Sequence, residues 1–410
     1  MNSFFKQFCP TDTYTRIPVS PKLLTFSFFG RPSNNLGELK NISPKKILVM
    51  RYMGMGDTVL LSPFIKKIKG MYPNSEITFV TKPSVVNLYE TCPYLSKIIG
   101  YEHNGSIGSV LRFAKKLRSE KYDLAFFVRF GASPWYANLL IFLSGAPFRV
   151  TYTEKVDDLK SVMQKDYDCF YTHLIPGDKK EVKHEIWRGL DILNYFKKDS
   201  AEENYTPRLE LWTTKQDELF IKKLRSENGL TDGKTVVLGV GASTKKRTWP
   251  KERWEDLVGR LSNEYPDHKF VIIGDKNDVE IGNYLTERFA RTCISLCGLL
   301  SLRQTYCLLK YAKLYIGNNS GPLHIASAAS VPCIEISCHP LSGDLENSCS
   351  PARFGAWGVP SIALRPELPM EPKCAKGCIE NFPHCICLVS SEKVLFAANH
   401  FLNREGASLQ

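Results

Sequence analysis

Short apolar runs alternate along the chain with longer segments in which apolar residues recur every three or four positions. The runs are typical of buried β-strands, and the recurring pattern is typical of amphipathic helices. Within residues 58–73, for example, Leu61, Phe64, Ile65 and Ile68 fall on one helical face. The runs predict strands at residues 45–50, 77–83, 123–128, 148–153, 235–240, 269–275, 314–316 and 331–337.

Helices predicted between these strands indicate parallel sheets covered on both faces, which is an α/β fold. A chain of 410 residues is too long for one ordinary core. The alternation occurs twice and weakens between residues 155 and 210, so we predict two doubly wound, Rossmann-like domains. The predicted divisions are an irregular arm at 1–44, a first domain at 45–205, a second domain at 206–390, and a helix and tail at 391–410.

Three polar loops follow predicted strands, at the edge where open parallel sheets bind ligands. The first, the glycine loop (residues 51–57), contains Gly54, Gly56 and Asp57. The third glycine of a dinucleotide-binding motif is missing, which argues against a Rossmann dehydrogenase. Asp57 has two interpretations: a structural helix N-cap, or a base that accepts the proton of an acceptor hydroxyl.

The second is the basic loop (residues 239–250), in which the hydroxyls of Ser243 and Thr244 precede Lys245, Lys246 and Arg247. A cationic loop rich in hydroxyls suits a diphosphate leaving group, because negative charge grows there as the glycosidic bond breaks. The alternative is a solvated basic turn.

The third loop (residues 317–321) leads into a helix that begins at Pro322. Asn319 or Ser320 can cap this helix, and His324 lies in its first turn. The free amides and the dipole of a helix N-terminus bind anions such as phosphate. The alternative is an ordinary strand–helix–strand unit without a ligand.

These motifs are similar to the signatures of a known family. Residues 47–80, 239–261 and 316–337, with the sequences ILVMRYMGMGDTVLLSPFIKKIKGMYPNSEITFV, GVGASTKKRTWPKERWEDLVGRL and IGNNSGPLHIASAASVPCIEIS, resemble those of glycosyltransferase family 9 in order and spacing. This family comprises the ADP-heptose:lipopolysaccharide heptosyltransferases and their relatives. The resemblance runs from about residue 45 to residue 340.

The resemblance implies a GT-B fold, in which two Rossmann-like domains face a cleft, and an inverting sugar transfer that requires no metal cofactor. It implies that Asp57 is the catalytic base and that Glu280 binds the nucleoside of a nucleotide-sugar donor. The donor-binding residues that we predict are Gly56, Ser243, Thr244, Arg247, Glu280, Asn319, Ser320, Gly321 and His324.

Two positions differ from the usual family pattern. Arg247 stands where the heptosyltransferases usually have a lysine, and Asn319 stands where they commonly have an aspartate. Arginine binds phosphate as a planar fork, and asparagine is neutral and can donate hydrogen bonds. These differences leave the identity of the donor sugar open.

A cysteine cluster follows the family motifs. Cys374, Cys378, Cys385 and Cys387 lie close together, with His384 among them. Four thiols can form a tetrahedral site, so we predict structural zinc or iron, although the spacing is not that of a standard zinc finger. The alternative is a reduced, partly buried group of thiols.

The net charge of +12 favours an acidic partner. No basic stripe with interleaved aromatic residues is present, which argues against nucleic acid. The first residues lack the pattern of a signal peptide, so we expect a cytoplasmic protein. The apolar segment 135–148 is too short to span a membrane and is interpreted as a buried or partly exposed helix. With the positive charge it predicts peripheral association with the anionic inner face of the inner membrane.

The predicted function is therefore glycosyl transfer. A sugar, heptose or a similar one, would move from a nucleotide diphosphate donor such as ADP-heptose to a lipopolysaccharide or other lipid-linked surface glycan. The alternative is a non-catalytic nucleotide-sugar-binding protein of glycan assembly.

Overall fold

The computed structural model describes residues 35–177, 181–196 and 206–403. The chain divides into two compact units, Met1–Pro207 and Arg208–Gln410. Most of the predicted N-terminal arm, residues 1–34, lies outside the described residues, as does the tail beyond residue 403. The described part of the arm contains a 3₁₀ helix, Leu36–Asn41.

The first unit contains a six-stranded parallel sheet with the strand order β3-β2-β1-β4-β5-β6. Its strands are β1 (Lys46–Met50), β2 (Glu76–Thr81), β3 (Lys97–Gly100), β4 (Leu124–Phe127), β5 (Phe148–Tyr152) and β6 (His173–Ile175). Its helices are α1 (Met55–Val59), α2 (Ser62–Met71), α3 (Ile107–Ser119), α4 (Trp135–Leu143), α5 (Asp158–Met163) and α6 (Glu185–Asp191).

The second unit repeats this order in its own six-stranded parallel sheet, β12-β11-β10-β7-β8-β9. Its strands are β7 (Thr235–Gly239), β8 (Lys269–Ile273), β9 (Cys293–Ser295), β10 (Leu314–Asn318), β11 (Cys333–Ile336) and β12 (Ser361–Leu364). Its helices are α7 (Lys215–Glu227), α8 (Lys251–Glu264), α9 (Val279–Arg288), α10 (Leu302–Leu309), α11 (Gly321–Ala328), α12 (Pro351–Phe354) and α13 (Ser391–Leu402).

The helix predicted at residues 58–73 is in fact two helices, and the break has a local cause. Pro63 has no N–H to donate to the carbonyl of Val59 four residues earlier. The hydroxyl of Ser62 donates to that carbonyl instead, at 3.0 Å. As a result α1 is a separate short helix, and it carries Asp57 at the carboxyl end of β1.

The apolar segment 135–148 lies inside the first unit. All but the last residue of α4 are buried, in a core shared with Met50, Phe127 and Phe170. The expectation that this segment contributes an apolar membrane-binding patch is therefore wrong, because its side chains are already packed against protein. Among the described residues, no helix has the length and apolar character needed to cross a bilayer.

The last helix, α13, packs within the second unit. Tyr265, which follows α8, donates a hydrogen bond from its hydroxyl to Asn399 of α13, at 3.1 Å. Asn399 in turn donates to Glu264 at 2.6 Å. The apolar face of α13 joins a hydrophobic core that also contains Trp249 and Trp254.

Candidate functional site

Both sheets reverse their winding direction between two central strands, β1 and β4 in the first unit and β7 and β10 in the second. Open α/β sheets bind ligands beyond the carboxyl ends of the strands at such a switch point. The glycine loop follows β1, the basic loop follows β7, and the third predicted loop follows β10. The topology therefore places all three loops at switch points.

Asp57 is held by two arginines that follow neighbouring strands. Its Oδ1 accepts hydrogen bonds from Nη2 of Arg51, at 2.8 Å, and from Nη1 of Arg129, at 3.0 Å. Gly54 is the N-cap of α1, and Asp57 lies in the first turn of that helix. The N-cap interpretation of Asp57 is therefore wrong, and its carboxylate, 18% exposed, belongs to an ionic cluster.

These arginines set the charge of Asp57. Burial alone raises the pKa of a carboxyl group, but the nearby Arg129 and Arg51 outweigh it, so the pKa of Asp57 lies below its ordinary value. The group is consequently ionised at neutral pH. An ionised, partly exposed carboxylate at a switch point can accept a hydrogen bond, and then a proton, from a hydroxyl group.

The ionic cluster extends behind Asp57 to two residues of α6. Nη2 of Arg51 lies 3.6 Å from Glu185, and Glu185 lies 3.4 Å from Nη1 of Arg188. The guanidinium of Arg188 stacks 3.8 Å from the ring centroid of Phe130. Arg188 and Phe130 also line a cavity of about 210 Å³, with Tyr152, Lys183 and Tyr195.

Sequence reasoning missed these basic residues. Arg51 and Arg129 each follow a predicted strand almost directly, so their position beside a candidate base was a signal that could have identified them. Glu185 and Arg188 gave no such signal, because they come from a helix far along the chain.

In the second unit, Asn318 joins the basic loop to the loop after β10. Its amide nitrogen donates to the carbonyl of Val240 at 2.7 Å, and its amide oxygen accepts from the backbone N–H of Trp249 at 3.1 Å. Ser320 adds a hydrogen bond from its hydroxyl to the carbonyl of Gly241 at 3.1 Å. The two candidate phosphate loops therefore form one connected structure.

Of the predicted donor residues of the basic loop, only Arg247 lies in the short 3₁₀ turn that this loop forms. Thr244 precedes this turn, Lys245–Arg247, and Ser243 is exposed just before it. The guanidinium of Arg247 donates to the carbonyl of Ser348 at 3.1 Å, and the ammonium of Lys246 donates to the carbonyl of Cys378 at 2.9 Å. Two of the three cations are thus oriented by backbone carbonyls of distant segments.

Ser320, Gly321 and His324 lie together at the N-terminus of α11. Ser320 is the N-cap residue, but its side chain makes no capping hydrogen bond to the helix. Gly321 begins the helix, and His324, in the first turn, is buried. The positive end of the helix dipole therefore adjoins the basic loop, which favours an anion at this point.

Asn319, one of the predicted donor-binding residues, has its side chain inside the second unit. The side chain is buried, and its amide nitrogen donates to Glu335 of β11. Burial raises the pKa of Glu335 to about 7, although the hydrogen bond from Asn319 opposes this shift. Asn319 is a neutral donor to a buried carboxyl group, which explains why an amide rather than a second acid stands at this position.

Glu280 lies in the first turn of α9, after β8, and its side chain is exposed. The neighbouring Asp278 packs under the basic loop, where a Cβ on Gly241 would lie 2.1 Å from its Oδ2 atom. A larger residue at position 241 would therefore force the Asp278 side chain to shift. Gly56, in contrast, belongs to the first unit and lies in α1 beside Asp57.

The structure groups Cys374, Cys378 and Cys385 with His384 in a buried cluster. Their ligand atoms all lie within 4.8 Å of one another, and Nδ1 of His384 lies 3.8, 3.9 and 3.4 Å from the three sulfurs in that order. Tetrahedral zinc bonds of usual length separate sulfur from nitrogen by roughly 3.6 Å. These four side chains therefore fit a metal ion.

The cluster differs in one member from the predicted set of four cysteines. Cys387 is partly exposed and stands outside the group, because it follows Cys385 in a 3₁₀ turn, Cys385–Leu388, that directs it elsewhere. His384 takes that place. Its other ring nitrogen lies 3.3 Å from Oε1 of Glu371, the outer carboxylate contact that commonly orients a metal-binding histidine.

Comparison with known proteins adds an independent line of evidence. Residues 110–381 match the family model described as glycosyltransferase family 9 (heptosyltransferase). The lipopolysaccharide heptosyltransferase 1 of Campylobacter coli is 31% identical over 298 residues, which are 71% of this chain and 83% of that protein.

Two solved structures have the same fold. A family 9 glycosyltransferase from Veillonella parvula gives a TM-score of 0.68 at 20% identity, covering 88% of this chain and 97% of that one. The ADP-heptose lipopolysaccharide heptosyltransferase II of E. coli gives 0.64 at 19% identity, covering 88% and 99%. These similarities confirm the predicted α/β fold of the GT-B class. The chain thus belongs to glycosyltransferase family 9, the heptosyltransferase family, and is a glycosyltransferase.

Proposed function

We propose that the protein transfers heptose from ADP-heptose, with inversion, to a hydroxyl group of a lipopolysaccharide-type, lipid-linked acceptor. The observation that carries this proposal is the ionised carboxylate of Asp57 at the switch point of the first sheet. Support for the sugar and the acceptor comes from the relatives, whose names specify heptose and lipopolysaccharide.

In the proposed reaction, Asp57 accepts the proton of the acceptor hydroxyl as that oxygen attacks the anomeric carbon of the donor. The bond from that carbon to the diphosphate breaks on the opposite side, which inverts the configuration. Because the pKa of Asp57 is low, it is a weak base, and we expect proton transfer late in the step, when the hydroxyl has become acidic.

Binding of the diphosphate is assigned to the second unit. The N-terminus of α11 with Ser320 and Gly321, together with Thr244 and Arg247 of the basic loop, supplies hydrogen-bond donors and positive charge where the leaving group becomes more negative. Glu280, exposed at the start of α9, is assigned to the nucleoside. These charges make a metal ion unnecessary for transfer.

The Cys/His cluster is assigned a structural role. Three thiolates and one imidazole suit a zinc or an iron ion, and four protein ligands leave no open position for a substrate. Elemental analysis of the purified protein is expected to show about one equivalent of either metal. Less than a tenth of an equivalent would remove this assignment.

The acceptor side of the proposal includes peripheral association with an anionic membrane surface. Helix α3 exposes Ile107 and Leu111, one turn apart, beside the exposed cations Arg112, Lys115 and Lys116. An exposed apolar pair flanked by lysines and arginines is typical of helices that lie on anionic bilayers. This surface replaces the buried segment 135–148 as the candidate contact with the membrane.

The deciding experiment is a transfer assay with ADP-heptose and lipopolysaccharide from which heptose is missing. The expected result is an increase in acceptor mass by one heptose, with release of ADP. Other nucleotide-sugars tested in parallel identify the donor if ADP-heptose is inactive. Donor binding without any transfer would instead support a non-catalytic nucleotide-sugar-binding protein.

A further inference from the structure

The Cys/His cluster contacts the basic loop directly, although the two lie far apart in the sequence. The ammonium of Lys246 donates to the carbonyl of Cys378, one of the clustered cysteines, at 2.9 Å. Three residues later the indole N–H of Trp249 donates to the carbonyl of Val389 at 2.9 Å, directly after the 3₁₀ turn that begins at Cys385. The basic loop therefore contacts one clustered cysteine, Cys378, and also Val389, which directly follows the second turn of the cluster.

On its other side the same loop is held by Asn318, through Val240 and Trp249. The cationic turn Lys245–Arg247 thus lies between these two supports, and the bond from Arg247 to the carbonyl of Ser348 is a third contact. Asn318 ends a central strand, so its position is determined by the sheet. The carbonyl of Cys378, in contrast, does not belong to a strand of the sheet, so the sheet does not determine its position.

The segment from Glu371 to Leu388 has little regular structure of its own. It contains two short 3₁₀ turns, Pro372–Cys374 and Cys385–Leu388, and Gly377 between them has φ +141°, which side-chain-bearing residues rarely adopt. Bonds from Cys374, Cys378, His384 and Cys385 to one ion would tie both turns together. In short segments of this kind, metal binding supplies much of the folding free energy.

We propose that the metal ion of this cluster holds the basic loop in its donor-binding conformation through Lys246, so that metal binding and donor binding are coupled. The inference rests on the proposed donor and metal sites. Lys246 is a positioning residue. Its ammonium binds the Cys378 carbonyl, so the position of that carbonyl determines the position of the turn that carries Arg247. Coupling of this kind is reciprocal, so the donor also strengthens metal binding.

The test measures the Kd of ADP by calorimetry for four forms: the wild-type protein and Lys246→Met, each with metal and after removal of the metal. In the wild type, metal removal is expected to raise the Kd about tenfold, a typical size for coupled sites. In Lys246→Met, which should retain about one equivalent of metal, removal is expected to change the Kd by less than about twofold because the connection is already broken.

Equal losses of ADP affinity on metal removal in both proteins, or no loss in the wild type, would overturn the inference. Either result would mean that Lys246 does not connect the sites, even if it contacts phosphate directly. Lys222→Met is the matched control. Lys222 is an exposed lysine of α7, so this variant removes the same charge without touching the loop. Metal removal should raise its Kd for ADP by the same factor as in the wild type.

Hydrogen exchange separates failure of this inference from failure of the proposed function. Without any nucleotide, metal removal and Lys246→Met should each accelerate exchange in residues 241–250. A protein that shows this acceleration but does not bind ADP refutes the donor assignment alone. If metal removal unfolds the whole second unit, Lys246→Met with metal bound must still accelerate exchange in that segment, and unchanged exchange there contradicts the inference.

Discussion

Asp57 is a carboxylate whose reactivity is set by two neighbours, Arg51 and Arg129. Replacing it with asparagine keeps its shape but removes the group that accepts the proton. We expect Asp57→Asn to lower kcat by at least about 10²-fold, the lower range for loss of a general base, with the Kd of ADP unchanged within about twofold. Steady-state transfer kinetics and calorimetry measure these two quantities.

The matched control is Asp158→Asn, which removes an exposed carboxylate at the start of α5 in the same unit. Full activity of Asp158→Asn with loss in Asp57→Asn supports the assignment. Unchanged turnover of Asp57→Asn would remove Asp57 as the base. A parallel loss of ADP binding would show that the substitution disturbed more than proton transfer.

Glu335 is a second residue whose ionisation has a measurable consequence. Its pKa, about 7, is raised above the ordinary value by burial, so in the folded state it binds a proton that the unfolded chain releases near pH 4.5. Its contribution to stability is therefore largest at low pH and is lost as the pH rises through 7. The pKa difference corresponds to a ceiling of roughly 3 kcal/mol.

Chemical denaturation between pH 5 and pH 8.5 tests this prediction. The free energy of unfolding of the wild type should fall relative to that of Glu335→Gln as the pH rises. The difference in slope is the informative quantity, because glutamine also changes the hydrogen bond with Asn319. Parallel pH profiles for the two proteins would show that Glu335 does not titrate in this range.

The sequence predicts candidate site residues but not the partners that hold them. Asp57, Thr244 and Ser320 are predicted because each follows an apolar run, and chain order alone places them at a sheet edge. The contacts of Asn319 with Glu335, and of Lys246 with Cys378, join residues that are distant along the chain. No periodicity in a single sequence reports such pairs, so they required the structure.

At the scale of elements, the strands that the pattern missed are the four edge strands, β3, β6, β9 and β12. Each has only three or four residues, and each exposes part of its length. A central parallel strand is buried on both faces and needs a continuous apolar run, whereas an edge strand does not. The hydrophobic pattern therefore predicted the centres of both sheets but not their borders.

The exposed cations of helix α3 are predicted to bind anionic membranes. Each lysine or arginine near an anionic bilayer contributes about 1 kcal/mol to binding. The triple variant Arg112→Gln/Lys115→Gln/Lys116→Gln should therefore weaken binding to vesicles with anionic lipid by up to roughly 100-fold. Co-sedimentation at low salt measures this, and raising the salt should reduce wild-type binding as well.

The matched control removes three exposed cations from α7 in the second unit, with Lys215→Gln/Lys222→Gln/Lys223→Gln. Both triple variants lower the net charge equally. Equal loss of vesicle binding would indicate a response to net charge rather than a defined surface. A wild-type protein that does not sediment with anionic vesicles at low salt would contradict the membrane proposal itself.

At the scale of the whole molecule, two units with the same strand order carry different proposed roles. The first unit contains Asp57 and the cavity lined by Arg188, and the second contains the two connected loops and the Cys/His cluster. The doubled strand–helix alternation was enough to predict two units and their class. The roles proposed for the two units depend on the strand that each motif follows and on the family resemblance.

This division predicts that ADP stabilises the protein through its second unit. A ligand present at 100 times its Kd stabilises the state that binds it by about 2.7 kcal/mol. For a unit of about 200 residues that corresponds to an increase in Tm of roughly 5–10 °C. We therefore expect ADP to raise the Tm of the transition that involves the second unit, in differential scanning calorimetry of the full chain.

UDP and GDP at equal concentrations are the comparison, because they carry the same diphosphate on another base. A larger shift with ADP supports recognition of adenosine, for which Glu280 is the assigned contact. Equal shifts with all three would mean that only the diphosphate is bound, through the basic loop and α11, and would withdraw that role from Glu280. Hydrogen exchange with ADP bound then identifies the segments involved, and protection confined to residues outside 239–250 and 318–324 would contradict the assignment of the donor to these loops.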